Sequence, residues 1–466
     1  MNLNQDLIIT YSNQKARELK KSLKNPLDKV VTLQSFVNEF SEKHSFKTLI
    51  EPIIATSFIY KTIKDENIEY LDFISLNSDT LDLIYDFILK TNASKVDLSE
   101  IIKDDKLKAI KLLSSKYSEF KNKNNLVDMN DVFQLAIDNF EKNDFSKYSK
   151  IYLDNFIIEN VKFYKSNLEL ELLELFSKIS IPLEQTINSN STAKLHKLNK
   201  QPFDINDEVE SALKLSRKLL EDDEGLASND ICIVTTDIGE YAPIFRLYLP
   251  KYELKGFDSK GISLKLFNSK KTSKQQVKIG FDTIEKELKF YTECCKKYEI
   301  NLDLVKLKEK LISDTYILED KIGIELTEAN QLIGLNKQFE HIIFIGTDIN
   351  HFPPKRSDNF LFTSNIAQKY FCENSYYENS LLQYNLLKKL AKNLYILHPK
   401  YKEKRELSSS IIIDKNIENL IDISNIQAKK EKIENEDFLI SITPNEFTTY
   451  DGLDVQGLNA NHISAS

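Results

Sequence analysis

The run His341-Ile-Ile-Phe-Ile-Gly-Thr-Asp-Ile-Asn-His-Phe-Pro-Pro354 carries more information about the fold than any other part of this 466-residue chain. Ile342, Ile343, Phe344 and Ile345 form an unbroken apolar stretch that stops at Gly346, the pattern of a short strand buried on both faces of a parallel sheet. The loop that follows such a strand lies at the carboxyl edge of the sheet, where open α/β sheets place their ligands. Phe352-Pro353-Pro354 stiffens the exit of that loop, because proline fixes one backbone dihedral and removes a donor. Working outward, Leu7-Ile-Ile-Thr-Tyr11, Val30–Phe36, Ile151–Asp154, Ile231–Thr236 and Leu394–Leu397 read as further short strands or strand and loop. Helical spacing of apolar residues covers Asn13–Leu23, Leu168–Ile179, Asp207–Leu220 and Ile284–Tyr298.

Length and charge set the frame. A chain of 466 residues predicts roughly three domains at about 150 residues each. The net charge of -8 and pI near 5.6 exclude a protein that coats nucleic acid through bulk positive charge, so any such contact must be local. The four cysteines, Cys232, Cys294, Cys295 and Cys372, form no CxxC pair and have no histidine at ligand spacing, which argues against a zinc site or a disulfide scaffold. No window approaches the ~18 uncharged apolar residues of a membrane span. The first residues lack the basic and apolar regions of a secretory signal, so a cytoplasmic location is expected.

The periodicity turns helical from about residue 52 to 145, where Leu81, Ile84, Tyr85 and Ile88, then Leu107, Ile110, Leu113 and Tyr117, recur at helical spacing. Residues 188–203, rich in Ser, Asn, Thr and Lys, read as a linker. The predicted organisation is a first domain over 1–190 with a helical insertion at about 52–145, a linker over 191–204, a second domain over 205–425 and a further linker over 426–466.

Gly334-Leu335 and Phe339–Pro353 resemble a strand and loop in the second RecA-like domain of UvrD/RecB-type helicases, and most closely those of AddB-type subunits, with Asn336-Lys337 as extra residues. Tyr152-Leu-Asp-Asn-Phe156 resembles the same family's "hydrophobic-Asp-Glu-Phe" strand, and Tyr384–Leu397 its "Thr-Arg-Ala" helix before a closing strand. The resemblance implies two RecA-like parallel-sheet domains, the first interrupted by helices. It implies work in double-strand-break repair beside a motor-bearing AddA-like helicase subunit, on single-stranded or unwinding double-stranded DNA. His462-Ile-Ser-Ala-Ser466 resembles the opening of the RecB-like nuclease domain that follows in relatives, so the nuclease, with its magnesium, is expected outside these residues and no cofactor within them.

Three departures from the family pattern predict that the ATPase centre is inactive. A Walker A loop needs glycines so that successive backbone N–H groups can wrap phosphate, yet no glycine precedes Gly225, and the loop after the first strand reads Thr10-Tyr-Ser-Asn-Gln-Lys-Ala-Arg17. Asp154 stands where magnesium would be held, but Asn155 replaces the general base and cannot accept its proton. Lys389 stands where an arginine finger would, without the planar fork. Gly256-Phe-Asp-Ser-Lys-Gly261 lacks the following Lys-Ser/Thr and reads as a loop.

DNA contact is the function such a chain retains. Thr32, Gln34 and Ser35 resemble an element that lies against single-stranded DNA, and an equally good reading has Thr32 or Ser35 capping a helix that begins near Phe36. The loop pair Lys355 and Arg356, together with Lys388, Lys392, Lys402, Lys404 and Arg405, supplies cations for a strand backbone. Lys251–Lys278 offers eight lysines interleaved with Phe257 and Phe267, a pattern suited to single strands. His341 and His351 read as strand-end hydrogen bonders. An ATPase with an atypical phosphate loop and a protein scaffold that docks a motor subunit are the alternative functions.

Overall fold

The computed structural model describes residues 5–72, 74–142, 145–158, 161–183, 192–267, 275–317, 321–335, 337–354, 359–373, 375–414 and 416–428. Lys355, Arg356 and almost all of the expected 426–466 stretch lie outside the described residues.

The chain is an α/β protein with two parallel sheets. The first has the order Lys29–Thr32, Leu7–Thr10, Ile151–Leu153, Ile181–Pro182. Side chains alternate across a strand, so Ile8 and Val30 pack on Ala16 of the Asn13–Lys21 helix while Leu7 and Ile9 face Leu33, Val37, Leu172 and Phe176 on the other side. That double covering is why Leu7, Ile8 and Ile9 are all apolar.

The second sheet is larger, with the order Gly256–Asp258, Ile324–Glu328, Ile231–Thr235, Phe339–Phe344, Ala391–Ile396, Lys194–Leu198, Asn419–Ile421, every pairing parallel. The Phe339–Phe344 strand lies at its centre. Ile342 and Phe344 face the Ala329–Leu335 and Tyr376–Leu390 helices, whereas Ile343 and Ile345 face the Ile205–Asp222 and Ile238–Tyr248 helices. All four are fully buried, as the uninterrupted apolar run predicted.

Two expected boundaries are corrected. The 191–204 linker contains the Lys194–Leu198 strand, which pairs with Asn393–Tyr395 on one side and Asn419–Ile421 on the other, so the second sheet begins before the predicted domain start at 205. Its polar side chains hid it: this strand near the edge is held by backbone hydrogen bonding and by His196 stacking on Tyr395, with centroids 4.7 Å apart, and not by an apolar pattern. The helical insertion is also divided. The Pro52–Asp65, Ser78–Ser94 and Asp104–Lys123 helices form a separate core with Tyr291, Cys294 and Leu307 of two later helices and with Leu361, Phe362 and Phe371. The Met129–Asp138 helix instead backs the first sheet through Val132, Phe133 and Ala136. Phe257, expected as an exposed platform, is a core residue.

Truncating the central strand should be costly and truncating an exposed neighbour should not. Ile343→Ala should lose about 2–5 kcal/mol of unfolding free energy in urea titrations, and Ile322→Ala, at a side chain 60% exposed, no more than about 0.5 kcal/mol.

Candidate functional site

Two edges of the sheets hold the chemistry. At the first, the carboxyl edge of the four-stranded sheet meets the end of the Ala329–Leu335 helix. The Tyr11 hydroxyl donates to the Gly334 carbonyl, and Lys15 Nζ donates to the Leu335 carbonyl at 3.2 Å. The last carbonyls of a helix have no partner within it, so these two donors satisfy groups that the cleft would otherwise leave bare. Tyr11 is wedged between Phe163, with centroids 4.5 Å apart, and the edge of Phe156. Gly334 permits the approach, because a Cβ there would lie 2.6 Å from the Tyr11 oxygen. Burial pushes the Tyr11 hydroxyl pKa up and the Lys15 ammonium pKa down, the Asp154 charge opposing the latter.

The other positions that the family resemblance assigns to a nucleotide are also placed within the fold. Asp154 is buried, accepts the Thr10 hydroxyl at 2.6 Å on one oxygen and the Asn155 N–H at 2.9 Å on the other, and burial raises its pKa against the pull of those partners and of Lys15. Asn155 is exposed, and its side-chain oxygen accepts the Ile157 N–H at 3.1 Å, leading into the Ile157–Ile158 strand, which pairs antiparallel with Val161–Lys162. Ser12 caps the Asn13–Lys21 helix through the Lys15 N–H. Lys389 lies in the last turn of the Tyr376–Leu390 helix, which leads into the amino end of the next strand.

Of the DNA candidates on this lobe, Thr32 and Ser35 resolve to the capping alternative. The Thr32 oxygen accepts the Ser35 N–H at 3.1 Å and caps the Leu33–His44 helix, and the two hydroxyls lie 2.8 Å apart. Gln34 is exposed, and its amide lies 3.9 Å from the Met129 sulfur.

The second edge is the carboxyl end of the seven-stranded sheet. Gly346 turns the chain with φ +72, and its N–H donates at 2.8 Å to Glu208, whose other oxygen accepts the Tyr241 hydroxyl at 2.8 Å. A Cβ at Gly346 would lie 2.8 Å from the Thr236 hydroxyl. Glu208 is fully buried, and desolvation, reinforced by the nearby Asp348 and Glu240 charges, pushes its pKa up to about 8 against its two hydrogen bonds. In the next turn His351 Nδ1 pairs with Asp348, while its Nε2 lies 3.0 Å from Lys402 Nζ and 3.4 Å from Glu240. Neutral, this nitrogen accepts from Lys402; protonated, it donates to Glu240. The Asp348 hydrogen bond raises the His351 pKa over the opposing effect of burial.

Sequence reasoning placed His351 at a strand end but missed its carboxylate partners. Asp348 at the i,i+3 position was the only local signal; Glu240, Glu208 and Lys402 come from other elements.

The basic candidates do not form one surface. Lys388, at 3.5 Å from Asp414 and over the Tyr384 ring, and Lys392, at 2.7 Å from Glu340, belong to the amino-terminal side of the Ala391–Ile396 strand. Lys402, Lys404 and Arg405 lie beyond its carboxyl end, in a hairpin pairing Tyr401–Lys402 with Arg405–Glu406. A six-residue strand spans roughly 20 Å, so the two groups face different solvent. Glu403 and Lys404 both take positive φ, the tight two-residue turn that matches strand twist. Lys402 bonds Glu240 at 2.8 Å, whereas Lys400, Lys404 and Arg405 are exposed and form no ion pair among the described residues. Also among the described residues, no cluster of three or more His, Cys, Asp or Glu side chains could hold a metal ion, and no helix is long and apolar enough to cross a membrane. In comparisons with known proteins, no family model and no curated protein matches the chain.

Two outcomes follow. Gly334→Ala should cost about 1–3 kcal/mol by overpacking against Tyr11, and less in a Tyr11→Phe background, where the obstructing oxygen is gone; a double-mutant cycle in urea should give a coupling above about 0.5 kcal/mol. Glu208 retains, when folded, a proton that the unfolded chain releases at its ordinary pKa of 4.5, so stability should fall as pH rises from 4.5 through about 8. Glu208→Gln should flatten that decline in denaturation midpoints measured across the same range.

Proposed function

We propose that this chain is the helicase-like DNA-binding part of an AddB-type subunit: two RecA-like lobes that do not hydrolyse ATP, acting in double-strand-break repair to guide single-stranded DNA from an AddA-like motor toward a nuclease. The observation that carries this reading is a contrast between the two sheet edges. Where a triphosphate would enter, Tyr11 and Lys15 are committed to the carbonyls of Gly334 and Leu335, and both Asp154 oxygens are bonded to the protein. At the second sheet's carboxyl edge, Lys400, Lys404 and Arg405 are exposed beside the His351 and Lys402 cluster. A polyanion therefore meets free cations at one edge and spent ones at the other. Local positive charge also accommodates an acidic chain of net charge -8.

The test is fluorescence anisotropy of a labelled thymidine 12-mer over a salt series. Binding should weaken steeply with salt, and the paired reversal Lys404→Glu with Arg405→Glu should make the log–log slope shallower by roughly 1.4, at about 0.7 for each single-strand phosphate no longer neutralised. Magnesium-ATP should leave the curve unchanged. Absence of binding at low salt would overturn the proposal and favour a scaffold; ATP-dependent binding would favour a working ATPase.

A further inference from the structure

Beside the basic hairpin stands an aromatic side chain that its own helix does not explain. Phe203 is 61% exposed and directly precedes Asp204, the N-cap of the Ile205–Asp222 helix. An apolar residue at that place ordinarily packs against the fourth helical residue. Here that residue is Glu208, which is turned inward to Gly346 and Tyr241. Phe203 is held outward all the same. Its N–H donates to Asp207 at 2.7 Å, its carbonyl accepts the Tyr401 N–H at 2.8 Å, and the neighbouring Pro202 carbonyl accepts the Lys400 N–H at 2.8 Å. The Tyr401 ring lies behind it, with centroids 5.1 Å apart, and Lys400 sits over Tyr401.

We propose that Phe203, buttressed by Tyr401, is a platform on which one unstacked base of a single-stranded nucleic acid lies, with Lys400, Lys404 and Arg405 along the flanking phosphates. This rests on the nucleic-acid reading above and deepens it. A ring held by backbone bonds loses little freedom on binding, and a flat π-face accepts any base, so the contact is sequence-tolerant.

The test uses the labelled thymidine 12-mer with wild type, Phe203→Ala and Phe203→Trp. Phe203→Ala should weaken binding roughly 5- to 150-fold at every salt concentration, leaving the salt slope and the urea midpoint unchanged, and Phe203→Trp should restore affinity. Wild-type binding that Phe203→Ala leaves unaltered would overturn the platform while the nucleic-acid reading stands. A weakening that comes with a shallower slope would also overturn it, assigning the effect to charge. No binding by wild type would overturn both.

Discussion

Two donors, the Tyr11 hydroxyl and the Lys15 ammonium, close the cleft between the lobes by serving the terminal carbonyls of one short helix. Separating the lobes would expose those carbonyls and part the Gly334 backbone from the Tyr11 and Phe163 rings packed against it. A nucleotide competing for this space would have to replace both hydrogen bonds and the aromatic packing. It would do so without the backbone freedom that glycines give a phosphate loop. The contact couples the two sheets into one unit and withdraws Lys15 from any phosphate. Its consequences extend to Asp154, which is buried behind the same loop with its carboxylate turned to Thr10 and Asn155.

The carboxyl end of the second sheet is governed by desolvation. Glu208 beneath the Gly346 turn has its pKa raised by burial and by the neighbouring charges of Asp348 and Glu240, while Asp348 is itself held below its ordinary range by His351. Glu208, on its helix, and Asp348, in the loop, shift in opposite directions because of these two only Asp348 is paired with a histidine. Lys402 completes this arrangement through Glu240 and His351, which anchors the hairpin next to its turn and leaves Lys404, in the turn, and Arg405, opposite Lys402, exposed. The internal pairing of one lysine therefore fixes where the unpaired cations stand.

Much of the fold was legible because buried parallel strands must be apolar on both faces. Ile342 to Ile345 and Leu7 to Ile9 announce themselves without any context. The Lys194–Leu198 strand did not, since its neighbours supply hydrogen bonds that leave no mark on its own residues. The Thr32 cap could be read from the sequence only as one of two possibilities, because the same hydroxyl serves a helix N–H or a phosphate equally well; the 3.1 Å bond to Ser35 decides it. Grouping Lys388 and Lys392 with Lys402 failed for a geometric reason: proximity in sequence across a strand is separation in space.

By itself, the sequence determined that the chain builds parallel α/β sheets, that no glycine lies in the loop after the first strand, and that an amide, Asn155, follows Asp154. These properties belong to residue type and short-range pattern, which the chain cannot hide. Only the tertiary structure decided that Tyr11 fills the cleft opposite Gly334, 323 positions away, and that Phe203 stands exposed beside Tyr401 and the basic hairpin. Each of those depends on which surfaces the packed sheets bring together, and a side chain's exposure is a property of its neighbours rather than of its own chemistry.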